Sequence, residues 1–113
     1  MTERDEDALA DMVDFAADSM DLLGDLDHTD LEKDKRSRYA VIRAVEIVGE
    51  AATRISDETR ERLSTLPWRQ IIGMRHVVIH GYDAMKLDVV VDVVRNRMPL
   101  LIAEMSKVLG DRK

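Results

Sequence analysis

Residues 41–55 have the sequence VIRAVEIVGEAATRI, and their pattern indicates the fold class. Its apolar residues recur three and four positions apart, which is the spacing of one face of an α-helix. That face consists of Val41, Ala44, Val45, Val48, Ala52 and Ile55. Arginines and glutamates occupy positions between them, so we expect a helix that buries one side and exposes the other. The pattern predicts that this helix spans residues 30–55, with Thr29 as its N-cap.

Three further segments show the same helical period. They span about Asp5–Leu23, from Pro67 to near Gly81, and Lys86–Leu109, and a short helical turn covers Asp57–Leu63. Proline suits the first turn of a helix and glycine suits the residue after its end. We therefore predict an all-α fold, which is an up-and-down bundle of four long helices plus a short helical turn. Residues 1–113 are expected to form a single domain.

Two features of the last helix oppose a regular α-helix. The valine-rich run at residues 89–94 favours a strand by propensity, and Pro99 should kink a helix. The apolar seam nevertheless continues in phase across the proline. It consists of Leu87, Val91, Val94, Met98, Leu101, Met105 and Val108. We therefore predict one helix with a kink at Pro99.

The composition excludes several classes of protein. The chain has 113 residues, of which 45% are apolar, so it is expected to fold as one domain. It contains no cysteine, which excludes disulfides and thiolate metal sites. No apolar run is long enough to span a bilayer, and the acidic N-terminus does not resemble a signal peptide. We therefore expect a cytoplasmic protein without a membrane partner.

The net charge of −6 is unevenly distributed. Residues 1–34 hold 13 acidic and 2 basic side chains, whereas residues 35–113 hold 10 acidic and 15 basic ones. A bulk nucleic-acid binder would be basic overall, so we expect no DNA partner and at most a local basic surface in the second part. The acidic first part is either a solvated helix face or a docking surface for a basic partner. No basic patch is interleaved with aromatic residues, so no RRM-like base-stacking surface is expected.

The candidate chemistry is concentrated in residues 74–83, MRHVVIHGYD. Arg75 lies in the same helical stripe as Trp68, Ile71, Ile72 and Ile79. A guanidinium in such a stripe must have acceptors, or its burial is costly. Two explanations stay open at this point. Either Arg75 forms an ion pair with Glu46 or Glu50 on a neighbouring helix, or it provides a bidentate site for a phosphate.

His80 provides a second candidate group at the expected C-terminal end of the third long helix. The helix dipole favours its protonated form there, and an imidazole can accept and donate protons in turn. Together with Arg75 it could support metal-free transfer of a phosphodiester to a ribose 2′-hydroxyl, although a histidine at a helix end can also be a simple cap. His76 and His80 have zinc-compatible spacing, but Val77 breaks the HExxH pattern and no third ligand is evident. Dinucleotide and P-loop motifs do not occur either, so we expect no metal and no cofactor.

Longer stretches of the chain resemble a known family. Residues 75–82, RHVVIHGY, resemble the RxxxxHxY motif of HepT toxins, a branch of the HEPN superfamily. Residues 43–52, RAVEIVGEAA, are similar to the family's RNLEIIGEAA-type stretch, and residues 67–75, PWRQIIGMR, to its PWREIIGMR-type stretch. Residues 96–100, NRMPL, resemble the NDLPxL-type segment of the last helix. The resemblance covers most of residues 36–108, with order and spacing intact.

The resemblance implies a dimeric HEPN-like bundle with a composite site between the two protomers. Arg75 and His80 would be the catalytic residues of a metal-independent endoribonuclease toxin that cleaves RNA. Its partner would be an MntA-like nucleotidyltransferase antitoxin, which neutralises the toxin by binding it, by transferring AMP to Tyr82, or by both. The alternative is a non-catalytic HEPN interaction protein that binds a nucleotidyltransferase or a nucleotide through the same residues. A third hypothesis is a generic helical bundle in which an Arg–Glu pair has only a structural role.

Two positions depart from the family pattern. His76 replaces the asparagine that often follows the motif arginine, and we expect it to assist catalysis. Lys86 stands where an aspartate often caps the last helix, and Asp83 could take over that role. The resemblance also assigns a supporting role to three charged residues of the second long helix. They are Arg43, Glu46 and Glu50.

Overall fold

The computed structural model describes residues 1–79 and 87–110, excluding the side chains of residues 76–79. Its helices are α1 (Glu3–Leu23), α2 (His28–Lys33), α3 (Lys35–Ala52), α4 (Asp57–Arg62), α5 (Trp68–Ile79), α6 (Leu87–Asp92) and α7 (Met98–Gly110), and a π-helical segment (Val93–Arg97) joins α6 to α7. These residues include no β-strand. The prediction of an all-α bundle is therefore confirmed. The predicted end of the third long helix near Gly81 lies outside the described residues.

The second predicted helix is in fact two helices, which corrects the prediction of one helix over residues 30–55. Asp34 has an extended backbone (φ −111°, ψ 95°), and its carboxylate accepts hydrogen bonds from the N–H and the hydroxyl of Ser37. It therefore caps α3 and separates it from α2. Asp27 caps α2, and not Thr29 as predicted. An aspartate is favoured at both positions because its carboxylate satisfies free N–H groups at the positive end of the helix dipole.

A buried aspartate ties the start of α1 to the start of α4. Asp5 is only 2% exposed, and it forms a capping box with Thr2. Its carboxylate also accepts hydrogen bonds from the N–H and hydroxyl of Ser56, both at 2.8 Å, and from the hydroxyl of Thr59 at 2.7 Å. Burial by itself raises the pKa of Asp5, but these hydrogen bonds outweigh burial and hold the pKa well below its usual range.

The last predicted helix is confirmed from Leu87 onward, and the valine-rich run at residues 89–94 is helical rather than extended. The π-helical segment ends two residues before Pro99. Proline has no N–H, and its ring clashes with the carbonyl four residues earlier in a regular α-helix. A π turn directly before the proline changes the local hydrogen-bond spacing, and so the helix continues through it.

The core lies between α1, α3, α5 and the continuous helix formed by α6, the π-helical segment and α7. α3 packs against α1 on one side and α5 on the other, and the α6–α7 helix packs against α1. Arg95 reinforces the last contact, because its guanidinium donates to the carbonyls of Gly24 and Leu26 at 3.1 and 2.8 Å. The predicted apolar stripes of all four long segments contribute to this core. Their fully buried members include Leu9, Met12, Val41, Val48, Ile71, Val94, Met98 and Met105.

Candidate active site

Arg75 lies where α5 closely approaches α3, and a glycine makes this approach possible. A Cβ on Gly49 would lie 2.9 Å from the backbone nitrogen of Arg75, 3.2 Å from the carbonyl oxygen of Ile71, and 3.3 Å from the Cβ of Arg75. These distances are shorter than ordinary van der Waals contacts, so only glycine allows the two backbones this close. Gly49 therefore sets the position of the Arg75 backbone relative to α3.

The two glutamates that were candidate partners of Arg75 bind a different arginine. Arg43 is one turn before Glu46 and two turns before Glu50 on α3. Its Nη1 forms ion pairs with Oε1 of Glu46 and, at 3.3 Å, with Oε1 of Glu50. The expected ion pair between Arg75 and these carboxylates is therefore replaced by a pair within α3. Side chains three residues apart on a helix are neighbours, which favours this local pairing over one between helices.

Arg75 itself has an unsatisfied hydrogen-bond donor. Its side chain is partly buried, and its Nε is shielded from solvent without any hydrogen-bond partner. Neither a hydrogen bond nor an ion pair joins the guanidinium to another described residue. Arg60 also has a buried Nε, but its Nη2 donates to the carbonyls of Ala52 and Thr53. A cation held this way gains most from an anion that accepts two parallel hydrogen bonds, as a phosphate does.

The remaining residues of the predicted site are not placed. His80, Tyr82, Asp83 and Lys86 lie outside the described residues, and so does the side chain of His76. Their roles stay predictions. Of the predicted site, the structure places Arg43, Glu46, Glu50 and Arg75, and it brings the first three together on the helix that packs against Arg75.

An apolar groove borders α5, the helix that carries Arg75. The sequence did not predict this groove. It encloses about 400 Å³ between α5 and the α6–α7 helix. Its walls include Val45, Ile71, Met74, Val89, Val90, Val93, Leu100 and Leu101, and its polar lining includes Gln70, Arg97 and Glu104. Leu100 and Val89 are 67% and 43% exposed. The available signal was the valine-rich run of α6, since it widens the apolar surface beyond the single stripe that a buried helix needs.

Gly49 was also missed, although a glycine inside a helical apolar stripe is an unusual choice. It is unfavourable in a helix interior by about 1 kcal/mol relative to alanine. Such a position often marks a close approach of another backbone. The close approach of Arg75 and Ile71 accounts for it.

The described residues show neither a metal-binding cluster nor a membrane-spanning helix. No group of three or more histidine, aspartate or glutamate side chains among them could hold a metal ion. In this part of the chain, no helix has both the length and the apolar character needed to cross a membrane.

Comparisons with known proteins agree with the resemblance in the sequence. The family model described as "Ribonuclease HepT-like" matches residues 6–108. A Methanocaldococcus jannaschii protein named "Putative RNase MJ1380" is 34% identical over 94% of this chain and 98% of its own length. A Thermococcus cleftensis protein named "Probable ribonuclease HepT" is 35% identical over 66% of this chain and 67% of its own. No solved structure matches the chain. The chain therefore belongs to the HepT-like ribonuclease family.

Proposed function

We propose that this protein is a metal-independent endoribonuclease, which acts as the toxin of a cytoplasmic toxin–antitoxin pair. The observation that carries the proposal is the Arg75 guanidinium, whose buried Nε has no partner beside the close contact of α5 with α3. An unsatisfied guanidinium is suited to bind a phosphodiester and to stabilise the charge that develops on it during cleavage. The names of the relatives support RNA as the substrate.

In the proposed reaction, His80 accepts the proton of a ribose 2′-hydroxyl, and the 2′-oxygen attacks the adjacent phosphorus. The bond from phosphorus to the 5′-oxygen breaks, and that oxygen leaves as a hydroxyl after receiving a proton from solvent, while the proton that His80 accepted is returned to solvent. The products are a 2′,3′-cyclic phosphate and a 5′-hydroxyl end. Arg75 neutralises the extra negative charge of the pentacoordinate phosphorus. None of these steps requires a metal ion.

The test is cleavage of labelled RNA by the purified protein in the presence of EDTA. The variants Arg75→Ala and His80→Ala should each lower the rate by about 10²–10⁴-fold, which is typical for loss of a charge-stabilising or proton-transfer group. Their circular dichroism should remain helical. If the wild-type protein cleaves no RNA and only binds a nucleotidyltransferase or a nucleotide, the chain is the non-catalytic interaction protein instead.

We also propose that a second copy of the chain covers the groove between α5 and the α6–α7 helix. Met74 lines this groove beside Arg75, so a copy bound there would bring the two motif helices together in one cleft. Arg97 and Glu104 both line the groove, and a two-fold axis would pair Arg97 of one protomer with Glu104 of the other.

The mass of the purified protein tests this dimer, and light scattering should give twice the chain mass. Leu100→Asp should yield monomers, whereas Leu22→Asp, on the exposed face of α1, should not. A monomeric wild-type protein would exclude the composite cleft.

The proposed antitoxin is an MntA-like nucleotidyltransferase that modifies Tyr82. The Tyr82 oxygen would attack the α-phosphorus of ATP, pyrophosphate would leave, and the phenolic proton would pass to solvent. The resulting phosphodiester would repel RNA from Arg75. Tyr39 is the other tyrosine of the chain and is 56% exposed, so it is an internal control. Mass spectrometry after incubation with the neighbouring nucleotidyltransferase, ATP and magnesium should find AMP on Tyr82. An adduct on Tyr39 alone would contradict the assignment.

A further inference from the structure

Two stretches of this acidic chain carry basic but no acidic side chains, and they include parts of two helices that touch each other. Residues 35–45 contain four basic and no acidic side chains, and residues 62–82 contain three arginines and no acidic side chain. The first stretch belongs to α3, and α5 lies within the second. These helices meet at Gly49 and Arg75, whereas the acidic α1 packs on the other side of α3. An anionic polymer would therefore approach the bundle from the α3–α5 side.

Tyr39 lies within the basic stretch of α3, and 56% of its surface is accessible to solvent. The other aromatic side chains that the structure describes are partly buried. The Nζ of Lys35 is 5.6 Å from the ring centroid, and the Cζ of Arg38 is 5.3 Å from it. Arg38 is fixed in turn, because its guanidinium donates to the carbonyls of Leu31 and Glu32. The Tyr39 ring is thus held between two cations, an arrangement that the sequence pattern did not predict.

The cations around Tyr39 are not explained by the stability of α3. Lys35 and Arg36 occupy the first turn, where the helix dipole disfavours positive charge. Neither Lys35 nor Arg36 forms an ion pair with another described residue. The adjacent carboxylate of Asp34 is engaged with Ser37 at the N-cap. Lys35 and Arg36 are therefore available for an external anion.

We propose that the exposed face formed by Lys35, Arg36 and Tyr39 binds single-stranded RNA next to the cleavage site. A base stacks on the Tyr39 ring, and the flanking phosphates bind Lys35 and Arg36. Stacking on a base is stronger than an exposed cation–π contact, so the base displaces the Lys35 ammonium, which then moves to a phosphate. The inference rests on the proposed function and extends it by naming the strandedness of the substrate.

The position of Tyr39 suits this role. It precedes Gly49 by ten residues, which is about 15 Å along α3 at the rise of an α-helix. A strand whose phosphate is bound by Arg75 would thus reach Tyr39 within a few nucleotides. A duplex could not use the ring in this way, because its base faces are already stacked.

The experiment measures binding without cleavage. The probe is a short fluorescein-labelled 2′-O-methyl oligoribonucleotide of mixed sequence, which lacks the attacking hydroxyl, and binding to the full-length protein is followed by anisotropy in EDTA. Tyr39→Ala should weaken binding by about 5- to 150-fold, the range for loss of one stacked base, and Tyr39→Phe should restore it. Lys35→Gln with Arg36→Gln should reduce the slope of log affinity against log salt by about 1.4, the value for two phosphate contacts of a single strand.

Lys107→Gln on α7 is the matched control for loss of an exposed cation, and it should leave binding unchanged. The same oligonucleotide annealed to its complement should bind more weakly than the single strand. The inference is overturned if the wild-type protein does not bind the probe, if Tyr39→Ala binds as the wild type does, or if the duplex binds equally well. RNA cleavage that is insensitive to Tyr39→Ala would leave the nuclease proposal intact and contradict only the RNA-binding face. Probe binding through Tyr39 without any RNA cleavage would leave the RNA-binding face intact and contradict the nuclease proposal.

Discussion

Replacing Gly49 with alanine tests whether the contact between α3 and α5 holds Arg75 in place. The new Cβ would lie 2.9 Å from the backbone nitrogen of Arg75, whereas ordinary contacts begin near 3.4 Å. The carbonyl oxygen of Ile71 would be 3.2 Å away, so two backbone atoms of α5 resist the new methyl group. Neither can rotate away as a flexible side chain would. The two helices must therefore separate by several tenths of an ångström at the level of Arg75.

Two effects of this substitution oppose each other in stability. Overpacking costs about 1–3 kcal/mol, whereas the higher helix propensity of alanine stabilises α3 by about 1 kcal/mol. The net loss should be about 0–2 kcal/mol, which a urea titration can measure. The effect on RNA cleavage should be larger, because a misplacement of about 1 Å in a catalytic group can cost about 10²-fold. We expect Gly49→Ala to lower the cleavage rate by about 10- to 100-fold under conditions in which the variant is fully folded.

Gly73 supplies the matched control on the other helix. A Cβ at Gly73 would meet no atom within 4 Å, so Gly73→Ala should stabilise α5 by up to about 1 kcal/mol and keep the cleavage rate. The reasoning is refuted if Gly49→Ala is as active as the wild type. It is also refuted if the two alanine variants lose activity equally, since the effect would then come from the glycine-to-alanine change and not from the contact with Arg75.

Two further predictions concern charged groups on other parts of the bundle. Asp5→Ala should lower the free energy of unfolding by about 2–4 kcal/mol, because it removes an N-cap interaction and leaves the donors of Ser56 and Thr59 unsatisfied. The folded-state pKa of Asp5 is depressed, so the unfolded chain takes up a proton at higher pH than the folded chain does. The stability of the wild-type protein should therefore fall as the pH drops below about 4. Urea titrations that show the same acid dependence for Asp5→Asn would contradict this. Arg43→Gln should slow RNA cleavage by up to about fivefold, the equivalent of one exposed ion pair, because the freed carboxylates compete with the phosphate for Arg75. Glu46→Gln together with Glu50→Gln in the same chain should restore the rate, and a failure to restore it would contradict that explanation.

The helices could be predicted from sequence because apolar periodicity is a local property. Each stripe that was identified by spacing is at least partly buried, including the seam that crosses Pro99. The break at Asp34 could not be found in this way, since the apolar stripe shows no change of phase there. It depends on one carboxylate that competes for the N–H of Ser37. The π-helical segment was also missed, because a proline indicates a disturbance but not how the backbone accommodates it.

The site was predictable only in its residue types. An arginine in an apolar stripe indicated an unusual guanidinium, and the structure leaves its Nε without a partner. The pairing of the glutamates was assigned to the wrong arginine, although the spacing of Arg43 and Glu46 already offered a pair within α3. The close approach at Gly49 depends on how two helices cross, and one sequence does not specify a crossing. The groove and the exposed ring of Tyr39 depend on the same packing.

These observations explain why residues 41–55 contribute both to the core and to the candidate site. Within residues 43–52, Val45 and Val48 fill the core, while Gly49 admits the backbone of Arg75. Arg43 binds Glu46 and Glu50, so both carboxylates are engaged within α3 and neither is paired with Arg75. If Glu46 or Glu50 paired with Arg75 instead, its guanidinium would no longer be available to a phosphate. Under the proposed function, the pairing of Arg43 with Glu46 and Glu50 is therefore better explained by the availability of Arg75 than by the stability of the fold, because exposed ion pairs contribute little to stability.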